Sequence, residues 1–357
     1  MRGRILLGGA LAAATLTVSV AAGAAPGPGR VDTPARARAR ADARLPMTGP
    51  AARSAAPLTM AVIGDTPYGT AQLPLFPRLV DDVNRDPKVR RVLHVGDIKN
   101  GSSRCSDEYF ATIASMLALF RDPVVYTPGD NEWTDCHRVN NGRYHPLERL
   151  DAVRDTFFPR PGLTLGQHRR LVQIQADDPD HAVFVENVRW SDSRVTFATV
   201  HVVGSNNGLA PWSGLPETPA LREQRLAEVA ARTAAALDWI DEAFDAAGTE
   251  RALGVVLAMQ ADMWDRAPLD GFDAIVRRIA ERSLAFGRPV LLLEGDSHDF
   301  LVDNPLDGVA EPHGVEFAVP NFTRLVVEGE TVSEWLRLTV DPRDPRLFRW
   351  ERVPVSG

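Results

Sequence analysis

Residues 91–97 read RVLHVGD, a short apolar run that ends in glycine followed at once by aspartate. Two neighbours share the form, LTMAVIGD (58–65) before it and PVVYTPGD (123–130) after it. Short apolar runs bounded by turn residues predict buried strands. The spacing between them predicts a helix over about 73–85 and a second over EYFATIASMLALF (108–120), with Ser106 and Asp107 able to cap the latter. Strand, helix, strand, helix, strand is the signature of a parallel sheet with helices packed on it, so the fold class is α/β.

Outward from this core the pattern continues. RVTFATVHVVGSNN (194–207) reads as one long β-rich run. Thr218-Pro219 opens a strong helix that Gly248 is expected to stop. ALGVVLAMQAD (252–262) and PVLLLEGDSHDF (289–300) are further buried strands, and the tail predicts a closing hairpin around Glu328-Gly329-Glu330. What repeats is chemical. In open α/β sheets the carboxyl ends of the strands face one crevice, so Asp65, Asp97, Asp130, Gln260, Asp296 and His298 are expected to converge. A single Gly-Asp is adequately explained as a turn. Several carboxylates in one crevice are strongly repulsive without a cation, so their convergence implies bound metal.

The first 24 residues carry Arg2 and Arg4, then an apolar run, then Ala22-Gly23-Ala24, the form of a secretory signal peptide. Residues 25–57, rich in Ala, Pro and Arg, read as a flexible linker before a domain at 58–357. The leader carries two positive charges and the linker a net four. With −7 on the whole chain, residues 58–357 hold −13. So acidic a domain repels a nucleic-acid backbone, and no later stretch is long and apolar enough to span a bilayer. Export to the cell envelope or beyond also gives the two cysteines, Cys105 and Cys136, an oxidising environment in which they are expected to pair.

The motif series GDTPYG (64–69), GDIKNG (96–101), GDNE (129–132), LAMQ (257–260) and GDSH (295–298) resembles that of the calcineurin-like metallophosphoesterases, in order and spacing, across about 58–340. The resemblance implies a four-layer α/β/β/α sandwich of two mixed sheets, and hydrolysis of a small-molecule phosphate mono- or diester by metal-activated water. It further implies two metals bridged by Asp97. Asp65 and His298 stand at the first metal, and Asp130, Gln260 and Asp296 at the second. Asn131 stands where the family has a histidine that contacts substrate phosphate; a shift by one would instead make Asn131 the metal ligand. Asn131 and His298 are thus the catalytic candidates, and Asn131, Arg138 and Asn206 the substrate-binding ones. The chain departs from the family pattern at Pro67, Gln260 and Asp296, each in a place of histidine. Oxygen for nitrogen favours Mn²⁺, Mg²⁺ or Ca²⁺ over Zn²⁺, with iron also possible. Loss of the third-motif histidine removes a proton donor, for which His137, His201 or a metal-bound water are candidate substitutes.

Two other classes compete. A degenerate, catalytically impaired member would bind metal or ligand without turnover. A GDS-type serine esterase would use Ser297, but here GDS falls late and no D-x-x-H follows it. Among neighbouring residues, His94 and His201 read better as core histidines, and Lys99 and Asn100 as either phosphate contacts or a solvated loop.

Overall fold

The computed structural model describes residues 56–308 and 312–356, which belong to one compact unit. The expected leader, and the linker apart from Ala56 and Pro57, lie outside the described residues. One sheet orders its strands β12-β11-β1-β2-β3. These are β1 Leu58–Ile63, β2 Val89–His94, β3 Val124–Tyr126, β11 Glu334–Val340 and β12 Phe348–Pro354. The other runs β4-β5-β6-β7-β8-β10-β9. Its strands are β4 Gln173–Ile174, β5 Val188–Asp192, β6 Val195–Thr199, β7 Gly254–Ala258, β8 Val290–Glu294, β9 Leu301–Asp303 and β10 Phe322–Val326. Both are mixed. β1, β2 and β3 are parallel, as are β6, β7, β8 and β10, while β11 and β12 and the strands β4, β5 and β9 run antiparallel to their neighbours.

Strand alternation builds the layers. Met60 and Val62 of β1 meet Leu291 and Leu293 of β8 in a core between the sheets. The alternate residues of β1, Ala61 and Ile63, face helices α1 (Phe76–Arg85), α2 (Asp107–Leu117) and α3 (Pro146–Phe157). Leu292, likewise, faces α4 (Pro219–Glu250) and α5 (Asp273–Phe286) through Ile240, Val276 and Ile279. The result is the expected two mixed sheets flanked by helices. Each such buried aliphatic side chain contributes about 1.5–3 kcal/mol. Ser106 caps α2 by accepting from Tyr109 N at 3.3 Å, as expected.

Three expectations fail in detail. The tail is not a hairpin about Glu328-Gly329-Glu330: β10 pairs with β8 and β9, whereas β11 pairs with β1 and β12. Residues 327–333 therefore cross from one sheet to the other. Alternation reveals which face of a strand is buried, not which partner it meets. The 194–207 run is shorter as a strand; Ser193 and Arg194 (φ 46° and 62°) make the tight turn between β5 and β6, and β6 ends at Thr199. Helix α4 passes through Gly248, which costs only about 1 kcal/mol inside a long helix, and stops where Arg251 turns left-handed at φ 54°.

Candidate active site

Strands of both sheets end at one place. Asp65 follows β1, Asp97 follows β2 and Asp130 follows β3; from the other sheet, Gly204 follows β6, Gln260 follows β7 and Asp296 follows β8. Four site residues hold left-handed backbones, Asp65 (φ 51°), Asp97 (φ 55°), Asp296 (φ 71°) and His298 (φ 66°), a conformation that non-glycine residues adopt rarely and that clusters at functional sites. Backbone bonds between the loops fix them: Asp65 N donates to Gly96 O at 2.9 Å, Gly295 N to Gln260 O at 2.9 Å, and Glu330 N to Asp65 O at 2.9 Å. The crossover segment thus forms part of the site's floor.

Oxygens of Asp97, Asp130 and Asp296 all lie within 4.8 Å of one another. Asp97 also accepts from Asn131 through its amide N–H at 3.1 Å and through Nδ2 at 2.5 Å. Asp65 accepts Asp296 N at 3.0 Å through Oδ1, and His298 Nε2 lies 3.5 Å from the same oxygen. Burial, then repulsion from Asp130, Glu132, Asp65 and Asp296, pushes the Asp97 carboxyl well above the usual range. Burial, then Asp130 and Asp65, does the same to Asp296. Burial also raises Asp65, against the hydrogen bond and charge of His298. The hydrogen bond to Asp65 in turn raises His298.

Cations fit this arrangement. Asp65 Oδ2 is buried against Gly295 with no hydrogen-bond partner in the protein, an acceptor left unsatisfied. A Cβ added to Gly204 would stand 2.7 Å from Asp296 Oδ2 and 2.8 Å from Asp130 Oδ2, so glycine keeps open the space between these carboxylates. The donor set is mostly carboxylate oxygen, the chemistry of hard divalent cations.

Other candidates take different places. Gln260 reaches the cluster, but its Oε1 accepts Gly204 N at 2.7 Å and its Nε2 faces Asp130 at 3.4 Å. In this orientation its oxygen is taken by Gly204 and its nitrogen faces a carboxylate. Asn206 is turned aside: Nδ2 bonds Asp270 at 2.9 Å and Oδ1 accepts Gly271 N at 2.8 Å. Its neighbour Ser205 faces the site instead, with Oγ 2.7 Å from Asp130 and 3.0 Å from Asp135. Arg138 pairs with Asp135 at 2.6 Å and lies with Asn131 against Gly101. The two histidines considered as proton donors are both committed. His137 Nδ1 accepts Gly214 N at 3.0 Å, and burial lowers its pKa to about 4. His201 is fully buried, with Nδ1 2.8 Å from Glu186. His94 is likewise in the core, bonded to Thr66 O at 2.7 Å.

Lys99 fits neither of its sequence readings. It is buried and donates to Asn100 O and Asn131 O, each at 2.8 Å, with its pKa lowered by burial to about 8. Cys105 and Cys136 form a disulfide with a Cα–Cα distance of 5.8 Å, and their sulfurs lie 3.5 and 3.6 Å from the same Asn131 carbonyl. The sequence reading also passed over Tyr68. Its hydroxyl is 3.1 Å from Asp97 Oδ2 and 3.1 Å from His298 Nε2. Its position beside Pro67, where a ligand was missing, was the available signal. A cleft of about 340 Å³ opens beside Asp296 and His298, walled by Ser205, Asp262, Arg266 and Phe272. Among the described residues, no helix is long and apolar enough to cross a membrane.

Residues 58–217 match the family model of the calcineurin-like phosphoesterases. The match covers less than half of the chain, and over that segment the protein is similar to this family. The matched segment carries Asp65, Asp97, Asp130 and Asn131; Gln260, Asp296 and His298 come from beyond it. No curated protein matches the chain. Among solved structures it is similar to a dimetal phosphatase from Danio rerio, at 12% identity and a TM-score of 0.48, covering 84% of this chain and 99% of that one. It is also similar to the purple acid phosphatase PPD1 from yellow lupin (Lupinus luteus), at 11% identity and a TM-score of 0.43, covering 84% of this chain and 54% of that one.

Proposed function

We propose that the protein hydrolyses a small-molecule phosphate ester outside the cytoplasm, at a centre that binds two hard metal ions. The observation that carries this reading is the pairing of the Asp97–Asp130–Asp296 oxygens, within 4.8 Å of one another, with the unpartnered buried Asp65 Oδ2 beside them. Asp65, Asp97 and His298 would hold the first ion, and Asp97, Asp130 and Asp296 the second. Mn²⁺, Mg²⁺ or Ca²⁺ suit these oxygens better than Zn²⁺, and iron is compatible with them. When bound, such ions polarise the phosphate and supply a nucleophilic water at neutral pH.

The chain's own residues supply the rest. Asn131, pinned by its backbone N–H to Asp97 and by Lys99 through its carbonyl, holds its amide beside the cluster, where Nδ2 donates to Asp97 and would turn from it to donate to a phosphate oxygen. Arg138, across Gly101 from it, can donate to a second oxygen, with Asp135 fixing the guanidinium. The ester's leaving group extends into the cleft beside Asp296, away from the floor of Gly-Asp turns. His298 is partly exposed to that cleft, where its ring would hold the first ion rather than move a proton. Support for an extracytoplasmic site comes from the leader-like first 24 residues and from the disulfide, which persists in oxidising compartments.

One observation favours the non-catalytic reading: Asn131 cannot donate a proton, and His137 and His201 are committed elsewhere. The serine esterase has less support, because Ser297 bonds Asp262 and the ring of His298 is turned onto Tyr68 and Asp65. Metal analysis of the purified protein, with mono- and diester hydrolysis under added Mn²⁺, Mg²⁺, Ca²⁺ or Zn²⁺, separates the readings. Bound metal with turnover lost in Asp97→Ala supports hydrolysis, and bound metal without turnover leaves only the binding protein.

A further inference from the structure

Three residues in a row after β6, Ser205, Asn206 and Asn207, hold left-handed backbones (φ 54°, 56° and 53°). Residues with a Cβ adopt that conformation singly and at a cost, so a run of three persists only where the surroundings impose it. Arg232, from the middle of α4, imposes it here. Its side chain is wholly buried; Nη2 donates to Asn207 O at 2.8 Å, and Nη1 donates to Asn207 Oδ1. Asn207 Nδ2 in turn donates to Thr233 Oγ1 at 3.2 Å and to Gly271 O at 3.1 Å, so the amide is held from both ends. A Cβ on Gly208 would stand 3.1 Å from Arg232 Nη2, so the turn lies directly against the guanidinium.

The same guanidinium reaches the other sheet. It lies over the Trp133 ring at 5.4 Å, and Trp133 N donates to Asp130 O at 3.3 Å. One buried cation thus holds both the turn after β6 and the loop after β3. Between them stands the Ser205 hydroxyl, 2.7 Å from Asp130 Oδ2 and 3.0 Å from Asp135 Oδ1. A hydroxyl has one proton to donate, and the nearer acceptor is Asp130. A turn that only led the chain from β6 toward α4 would be served by glycine at position 205, with no strain and no hydroxyl.

We propose that Ser205 is a positioning residue for the second ion, turning the Asp130 carboxylate toward it, and that the strained turn held by Arg232 serves to place that hydroxyl. This rests on the two-metal reading above. Ser205 and Arg232 act through Asp130 and are not themselves ligands. Hydrogen bonds to a metal-binding carboxylate fix its orientation, and their loss typically weakens metal binding by about 10- to 100-fold.

Calorimetric titration of the chelator-treated full chain, disulfide intact, with Mn²⁺ tests this. The unaltered chain is expected to take up two ions. Ser205→Ala should weaken one of them by about 10- to 100-fold and leave the other unchanged. Ser205→Gly should weaken the same ion as much, while its metal-free form melts above that of Ser205→Ala, because glycine accepts the left-handed backbone without strain. Arg232→Lys should lose the same ion, since a point charge cannot make the forked contact with Asn207. In Asp130→Ala that ion is already lost, and adding Ser205→Ala should change nothing further. Unchanged affinity for both ions in Ser205→Ala, an equal loss of both, or a further loss on top of Asp130→Ala overturns the proposal while the two-metal reading stands. An Arg232→Lys chain that binds both ions as tightly as the parent also overturns it, and the Ser205 variants decide on their own if that chain does not fold. A parent chain that binds fewer than two ions overturns the two-metal reading and this proposal with it.

Discussion

Replacing both cysteines, Cys105→Ser with Cys136→Ser, opens a covalent loop of 31 residues that joins the turn after β2 to the turn after β3. In the chain-entropy account, closing a loop of that length removes about 12 cal/mol/K from the unfolded chain, or about 3.7 kcal/mol at 25 °C. A domain of about 300 residues unfolds with an entropy of about 0.6 kcal/mol/K, so the midpoint should fall by about 6 °C. Calorimetry on both forms at one fixed metal concentration measures this. A second effect is local. Both sulfurs press on the Asn131 carbonyl, so activity well below either midpoint should fall as well, because that carbonyl loses one of its two supports and keeps only Lys99. A midpoint shift under about 1 °C would refute the loop-entropy reasoning. Unchanged hydrolysis at low temperature would refute the positioning role of the disulfide.

Asp97→Asn should bring metal content below one equivalent, yet raise the melting temperature of the metal-free protein, since burial and four neighbouring carboxylates disfavour the charge it removes. Asn131→Ala should lower kcat by about 10²- to 10³-fold, the cost of losing one donor to a developing oxyanion, with little change in metal content. Gly204→Ala should weaken metal binding, measured by titration, because the added carbon intrudes between Asp130 and Asp296. For the chelator-treated protein the pH dependence has a definite sign. Asp65, Asp97, Asp296 and Asp135, the last at about 8, have folded pKa values above the unfolded 3.8, so the fold is favoured below 3.8 and loses stability as pH rises toward 8. His298, raised above 6.5, acts in the same direction. Glu186, lowered to about 2, opposes them only as pH falls below 4.5. Burial lowers His94 and His137 to about 4 and lowers His201 as well, which adds stability as pH rises from 4 to 6.5. Melting temperature should therefore show its net fall between pH 6.5 and 8 in chelator and be restored by Mn²⁺; a flat profile there refutes the shifts.

The Gly-Asp strand ends were legible in the sequence because they combine two local signals, an apolar run and a turn residue, and the sheet's geometry does the rest. Asp65, Asp97, Asp130 and Asp296 fall together for that reason. Partner choice was not legible. β10 and β11 both alternate, and only the competition between the two sheets for edge positions separates them. The role of Gln260 depends on which way an amide faces, which follows from the N–H of Gly204, far away in sequence. Ser205 replaces Asn206 in the site because Ser205, Asn206 and Asn207 run left-handed (φ 54°, 56° and 53°), a local winding that their composition does not announce. Lys99 was misread because a lysine after an aspartate looks solvated, and its burial depends on loops that the disulfide brings over it.

The proposed ligands come from strands in two different sheets, and those sheets meet chiefly through apolar side chains, aliphatic and aromatic. Such contact is non-directional: a small slide of one sheet over the other loses little apolar burial. The carboxylates tolerate no such slide, since tenths of an ångström separate a fitting set of oxygens from a useless one. A metal centre held there would therefore serve the fold as a registration pin, setting the alignment of two layers that their greasy contact leaves nearly free. Repacking the seam far from the chemistry, around Val62 or Leu293, should thus be felt first as altered metal affinity and only later as lost stability.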